Sequence, residues 1–294
     1  ARIGLRTGNV KTEPIVAAVV DFAQGTARAP LFDDIYHPRE GALEQARAVF
    51  LAGNGLPERW RGRARFTILE TGFGLGNNFL ATWAAWRDDA ERCERLHFVS
   101  LENHPLTRDD LARALVNSPF TQLAQELVAA WPPLTPNLHR LTFESGRVQL
   151  LLGLGDAPTL ARQLVARVDA FYLDGFAPAR NQAMWSPPLF KSLAKLAATD
   201  ATAATWSAAR VVRDGLSAAG FAVQAAAGPG AKREITLARY APRFTLLAPP
   251  GRVLPATAPS HAIVIGAGLA GAASARALAL QGVPCTVLDT HEQP

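Results

Sequence analysis

Apolar residues along the 294-residue chain cluster in short continuous runs separated by stretches in which they recur at helical spacing. That alternation predicts strands buried on both faces, joined by helices that cover them. The clearest instance is Phe66 to Leu69, which ends on Glu70 and opens into Thr71-Gly72-Phe73-Gly74-Leu75-Gly76-Asn77-Asn78 before the helical pattern of Phe79 to Trp86. Leu96 to Leu101 predicts a second parallel strand closing on Glu102, and Asp169 to Leu173 another closing on Asp174. Leu138–Phe143 and Arg147–Leu152 flank Glu144-Ser145-Gly146 and predict a hairpin. Helices are predicted from Leu43 to Leu51, from Thr107, from Ser118 to Trp131 where Pro132-Pro133 stops it, over Ala157–Ala166 and over Ala208–Ala219. Ala201–Trp206, Phe221–Ala225 and Glu234–Tyr240 complete the strand pattern, and Val16 to Val20 predicts a strand in an N-terminal β extension, residues 1–31. The whole predicts an α/β domain over residues 32–240 with a mostly parallel, Rossmann-like sheet.

Residues 241–260 carry prolines 242, 249, 250, 255 and 259 with little periodicity and are read as a linker. Beyond them a strand, Gly266-Ala267-Gly268-Leu269-Ala270-Gly271, a helix and a second strand ending at Asp289 reproduce the spacing of a dinucleotide fingerprint. One βαβ unit cannot enclose a flavin, so residues 261–294 are read as the truncated start of an FAD-binding domain, with no FAD expected in this chain.

The acids at the strand ends carry the chemistry. Glycines between strand and helix let a backbone approach a ligand where any Cβ would collide. Glu70 at the mouth of that turn would repel a pyrophosphate but suits a ribose hydroxyl or an amino-acid ammonium, which favours S-adenosylmethionine over a dinucleotide. Glu102 is expected to hold the ribose diol, since a carboxylate accepts two hydrogen bonds. Asp156 either accepts from an adenine amino group or caps the following helix. Asp174, on the strand beside the first one, is expected to face the reacting centre across from Glu70. Met184 and Trp185 are either a lid or ordinary core. A basic, glycine-rich turn ending in Lys232 and Arg233 is a candidate phosphate grip, and Arg59, Arg61, Arg63 and Arg65 form either a solvated face or phosphate contacts.

Composition narrows the class. With 49% hydrophobic residues the chain can build a large core, and no apolar run is long enough to span a membrane. Cys93 and Cys285 lack metal-ligand spacing, so neither disulfide nor metal is expected and a cytoplasmic location follows. A net charge of +5 with 30 Lys and Arg suits a polyanionic partner.

Taken together, Glu70 to Gly76, Glu102 with Pro105-Leu106-Thr107, Asp174-Gly175-Phe176-Ala177-Pro178-Ala179-Arg180-Asn181, Met184-Trp185 and Lys232-Arg233-Glu234 resemble the bifunctional tRNA wobble-uridine modification family MnmC. The resemblance runs from about Phe32 to Tyr240 and resumes at Ile263; it departs from the family at Asn77 and at Arg180-Asn181-Gln182. It implies a class I methyltransferase fold with a seven-stranded sheet and methylation of 5-aminomethyl-2-thiouridine in the tRNA anticodon loop. A complete flavin half would first remove a carboxymethyl group from the same amine. On this reading Glu70, Gly72, Phe73, Gly74, Gly76, Asn77, Asn78, Glu102, Asp156, Asp174 and Gly175 hold the cofactor. Asp174 orients the amine, Phe176 and Trp185 stack on the extruded base, and Pro178, Lys232 and Arg233 meet the RNA. The alternatives on the same fold are a small-molecule amine methyltransferase or aminopropyltransferase-like enzyme, and a non-catalytic tRNA-binding module.

Overall fold

A computed structural model describes residues 4–5, 13–22, 27–36, 41–229, 233–243 and 259–290. The chain divides into two compact units, residues 3–249 and 250–294. Among the described residues, no helix is long and apolar enough to cross a membrane.

In the larger unit, eight strands form one sheet. They are β1 (Arg65–Thr71), β2 (Arg95–Glu102), β3 (Asn137–Phe143), β4 (Val148–Leu154), β5 (Val168–Leu173), β6 (Ala197–Thr205), β7 (Phe221–Ala227) and β8 (Glu234–Tyr240), ordered β7-β8-β6-β5-β1-β2-β4-β3. The central five, β6-β5-β1-β2-β4, pair in parallel. Strands β8, β7 and β3 join antiparallel. The expected seven strands gain an eighth because the hairpin read at Glu144-Ser145-Gly146 lays β3 along the edge of β4 through seven registered residue pairs. All three turn residues take positive φ, which folds the chain back within one turn.

Both faces of the central strands are buried, which is why their sequences read as continuous apolar runs rather than alternating ones. Ile68 packs with the core under α1 (Asn77–Asp88), α2 (Arg108–Leu115) and α3 (Thr121–Ala129), where Phe79, Trp83, Phe98 and Phe143 cluster. Leu69, its neighbour, packs on the opposite side with α4 (Ala157–Gln163), α5 (Pro187–Ala194) and α6 (Arg210–Ala218) through Leu160, Phe190 and Leu216. Because β1 pairs with both β2 and β5, its carboxyl end lies at the point where the strand order reverses, the place at which such sheets bind ligands.

Two expectations change. Val16 to Val20 forms no strand; Ala18 N instead donates to Pro105 O, at 2.9 Å, which ties the segment to the loop after β2. The arginines before and at the start of β1 serve the opposite end of the sheet from its ligand end. Arg63 pairs with Asp169 at 2.8 Å, Arg61 with Asp89 at 3.1 Å, and Arg59 donates to Thr202 at 2.6 Å.

On β2, His97 is 5% exposed and its Nε2 has no hydrogen-bond partner. Burial, reinforced by Arg65, Arg95 and Arg140, pushes its pKa down to about 3. The unfolded chain therefore takes up a proton near pH 6.5 that the folded chain refuses, and stability present above that pH is lost as pH falls. Relative to a His97→Gln variant, the wild type should lose about 2 kcal/mol between pH 7 and pH 5 in denaturant titrations; parallel pH dependences would contradict this.

Candidate active site

A cavity of about 820 Å³ lies over the carboxyl ends of β1, β2 and β5. Its floor is the turn between β1 and α1. Gly72 (φ +82), Gly74 (φ +52) and Gly76 (φ +77) all take left-handed conformations, and a Cβ on Gly72 would sit 3.3 Å from the Asp174 carbonyl oxygen. Gly72, Phe73, Gly74 and Asn77 line the cavity. Gly76 does not; a Cβ there would meet the Phe73 ring at 3.0 Å, so this glycine serves the turn into the helix rather than a ligand.

The strand-end acids divide into two that line the cavity and one that does not. Glu102 lines it, with Oε2 accepting from Gly74 N at 3.0 Å and Oε1 from His104 N at 2.8 Å. Burial raises its pKa while these two backbone donors pull it down. Each carboxylate oxygen has a second lone pair, which leaves room for a vicinal diol. Asp174 also lines the cavity: Oδ1 accepts from Gly175 N at 2.8 Å and Trp206 Nε1 at 3.1 Å, and Oδ2 from Asn78 Nδ2 at 2.8 Å. Burial pushes its pKa up to about 6 against the pull of these three donors.

Glu70 is the correction. It is fully buried and absent from the cavity wall. By strand alternation it shares the face of Ile68, and the first turn of α1 covers it. Its Oε2 accepts from Ser100 Oγ at 2.7 Å and its Oε1 from Asn78 Nδ2 at 2.9 Å. Among the described residues no cation pairs with it, and burial raises its pKa well above the ordinary value. Among the described residues it is linked to the cavity through Asn78, whose amide nitrogen donates to Glu70 and to Asp174 together.

Asp156 caps α4 through Thr159 N at 2.9 Å and also lines the cavity. Gly175 and Phe176 line it too, but Phe176 already stacks on Phe32 with ring centres 4.5 Å apart. Met184 reaches the wall, whereas Trp185 is core: it is 3% exposed, donates from Nε1 to Phe176 O at 2.9 Å and stands edge-on to Trp206. The indole on the cavity wall is Trp206 instead. Its signal in the sequence was its place at the end of a predicted strand, level with Asp174 on the neighbouring one. Pro178 and Arg233 are not on the wall, and Lys232 lies outside the described residues. Residues 16–19, 29, 31, 32 and 34–36, whose role the sequence did not disclose, also line the cavity.

Charge completes the description. Asp34, Glu44, Glu102, Asp156 and Asp174 line the cavity, and among the described residues no Lys or Arg does. The glycine cradle, the free acceptor positions on Glu102 and this negative wall fit S-adenosylmethionine, which carries a sulfonium, an ammonium and a ribose diol.

The smaller unit pairs β9 (Ala262–Ile265) in parallel with β10 (Cys285–Leu288), connected by α7 (Leu269–Leu280). A Cβ on Gly271 would fall 1.7 Å from the Gly266 carbonyl oxygen, so glycine is required where the helix crosses the turn. Asp289 accepts from Ala267 N, as Glu102 accepts from Gly74 N in the larger unit. Gly266, Gly268, Gly271 and Asp289 thus assemble into the fingerprint their spacing predicts.

The larger unit's sheet and site are those of a class I S-adenosylmethionine-dependent methyltransferase. Residues 118–241 match the family described as S-adenosyl-L-methionine-dependent methyltransferase, and residues 264–294 match the NAD(P)-binding Rossmann-like domain. The chain is 61% identical over 287 residues to the tRNA 5-methylaminomethyl-2-thiouridine biosynthesis bifunctional protein MnmC of Methylibium petroleiphilum, a match covering 97% of this chain and 44% of that protein. The protein of the same name from Burkholderia vietnamiensis is 53% identical over 285 residues, covering 95% and 44%. The crystal structure of MNMC2 from Aquifex aeolicus superposes with a TM-score of 0.60 at 22% identity, over 81% of this chain and 74% of that one, and shares the fold. The chain belongs to the MnmC family, and it spans less than half the length of these two curated relatives.

In the cofactor-free protein the Asp174 carboxyl carbon should titrate with a midpoint near pH 6 by NMR. Replacing Asn78 by Ser removes a donor to the ionised form and should move that midpoint upward; an unmoved midpoint would separate Asn78 from the Asp174 charge.

Proposed function

We propose that this chain transfers a methyl group from S-adenosylmethionine to the amine of 5-aminomethyl-2-thiouridine at the wobble position of tRNA, giving 5-methylaminomethyl-2-thiouridine. The observation that carries the reading is the contrast between a chain of net charge +5 and a cavity walled by five carboxylates with, among the described residues, no Lys or Arg. A negative wall attracts a sulfonium and an amine and repels phosphate, so a base can enter while its backbone stays outside. The names of the relatives supply the nucleoside.

When bound, the cofactor supplies a methyl group already activated by its sulfonium. Glu102 receives the ribose hydroxyls on its free lone pairs, Asp156 takes the adenine amino group on the oxygen that does not cap α4, and the Gly72–Gly74 backbone supports the remainder. Asn77 and Asn78 border the same floor, and Glu70 acts only through Asn78. Asp174 accepts a hydrogen bond from the amine and aims its lone pair. At a pKa of about 6 it is a weak base towards an alkylamine, so the proton leaves to water and the Asp174 charge steadies the substituted ammonium that forms. Three donors hold Asp174 in one orientation, which is the positioning that in-line transfer requires. Phe176 borders the entering base. In the longer relatives' context, the fingerprint of residues 266–289 would open a domain for FAD and the oxidative removal of a carboxymethyl group from the same amine.

The decisive experiment incubates the protein with methyl-labelled S-adenosylmethionine and tRNA lacking the terminal methyl, then digests to nucleosides. Label is expected in 5-methylaminomethyl-2-thiouridine; label in another nucleoside, or only in a free small amine, overturns the reading. Asp174→Ala should lose far more in turnover than in cofactor affinity measured by calorimetry, methylating about a hundredfold more slowly or worse. Glu102→Ala should weaken cofactor binding by about tenfold or more, and wild-type affinity would remove Glu102 from the site.

A further inference from the structure

Most of the exposed large apolar side chains described in the larger unit gather in one place. Val16 (65% exposed), Val19 (73%), Leu31 (69%) and Ile35 (36%) all line the mouth of the acidic cavity, leaving only Val116 and Val211 elsewhere among the described residues of that unit. Exposure of this kind costs solubility and marks a contact surface when it is contiguous. The lip is not slack chain. Arg28–Ala29 pairs with Asp34–Ile35, Asp34 Oδ2 accepts from Ala177 N at 3.1 Å, and Ala18 is bonded to Pro105. Phe32 stacks on Phe176, so the lip is stitched to the segment that follows Asp174.

We propose that this lip receives the nucleobases flanking the target uridine. The inference rests on the proposed function and extends it from the modified base to its neighbours. Carboxylates on the cavity wall exclude phosphate, so only the target base passes inward and the adjoining nucleotides stop at the rim. There the first surface they meet is largely apolar: Asp33 is paired with Arg180 at 2.6 Å and lies 4.0 Å from Arg28, and Asp34 is turned to the Ala177 backbone N–H at 3.1 Å. An unstacked base presents an apolar face that such side chains can cover, and recognition of single-stranded loops depends on covering faces of this kind. The lip therefore makes an RNA loop a better substrate than the isolated nucleoside carrying the same amine.

The test compares kcat/KM for an anticodon stem-loop with that for free 5-aminomethyl-2-thiouridine. In the Val19→Asn/Leu31→Asn double variant the ratio of the two should fall about tenfold, through KM for the stem-loop, whereas Leu31→Phe, which enlarges the apolar face, should preserve or raise it. Cofactor affinity measured in parallel reports whether each variant is folded. An unchanged ratio in a folded double variant overturns the proposal. So does a wild-type dimer that the double variant converts to monomer in sedimentation, because the lip would then belong to a second copy. Failure of the wild type to methylate the stem-loop at all would instead overturn the proposed function.

Discussion

A carboxyl group buried without a paired cation must be held by hydrogen bonds, and Glu70 imposes that condition at the centre of the sheet. Ser100 and Asn78 meet it. Asn78 can do so only from the first turn of α1, which the left-handed glycines of the preceding turn bring directly over the end of β1. The same amide nitrogen then reaches Asp174 on the neighbouring strand. One side chain thereby ties helix, strand and cavity carboxylate together, and an unsatisfied group at any of the three positions would cost the desolvation of that group. The buried acid acts as an anchor for the geometry above it rather than as a ligand-binding group.

Around that anchor the site separates charge by depth. Carboxylates stand on the cavity wall, their charge moderated by backbone N–H groups and the Trp206 indole, while arginines occupy the far end of the sheet in ion pairs with Asp169 and Asp89. A basic chain can therefore present a cation-selective interior.

Both units use one device at different scales. In each, an acid ending the second strand of a βαβ unit accepts a hydrogen bond from the backbone of the glycine turn after the first strand, Glu102 from Gly74 and Asp289 from Ala267. The glycines differ in purpose. Gly271 is needed because the helix crosses the turn with no space for a Cβ, whereas Gly72 is needed because the turn presses against the end of β5.

Strand and helix placement, the hairpin at Glu144-Ser145-Gly146 and the set of acids at the strand ends were legible in the sequence, because periodicity, turn chemistry and burial on two faces act over a few residues. What only the tertiary structure decided was which of those groups share a space. Glu70 and Asp174 look alike as strand-end acids, yet helix α1 covers the first while the second remains open to the cavity. Trp185, read as either lid or core, is core, while Trp206, to which the sequence assigned no role, stands on the cavity wall. The N-terminal segment became a wall of the site through its bond to the loop after β2, Ala18 N to Pro105 O. Each of these outcomes depends on contacts between elements far apart in the chain, where local pattern carries no information.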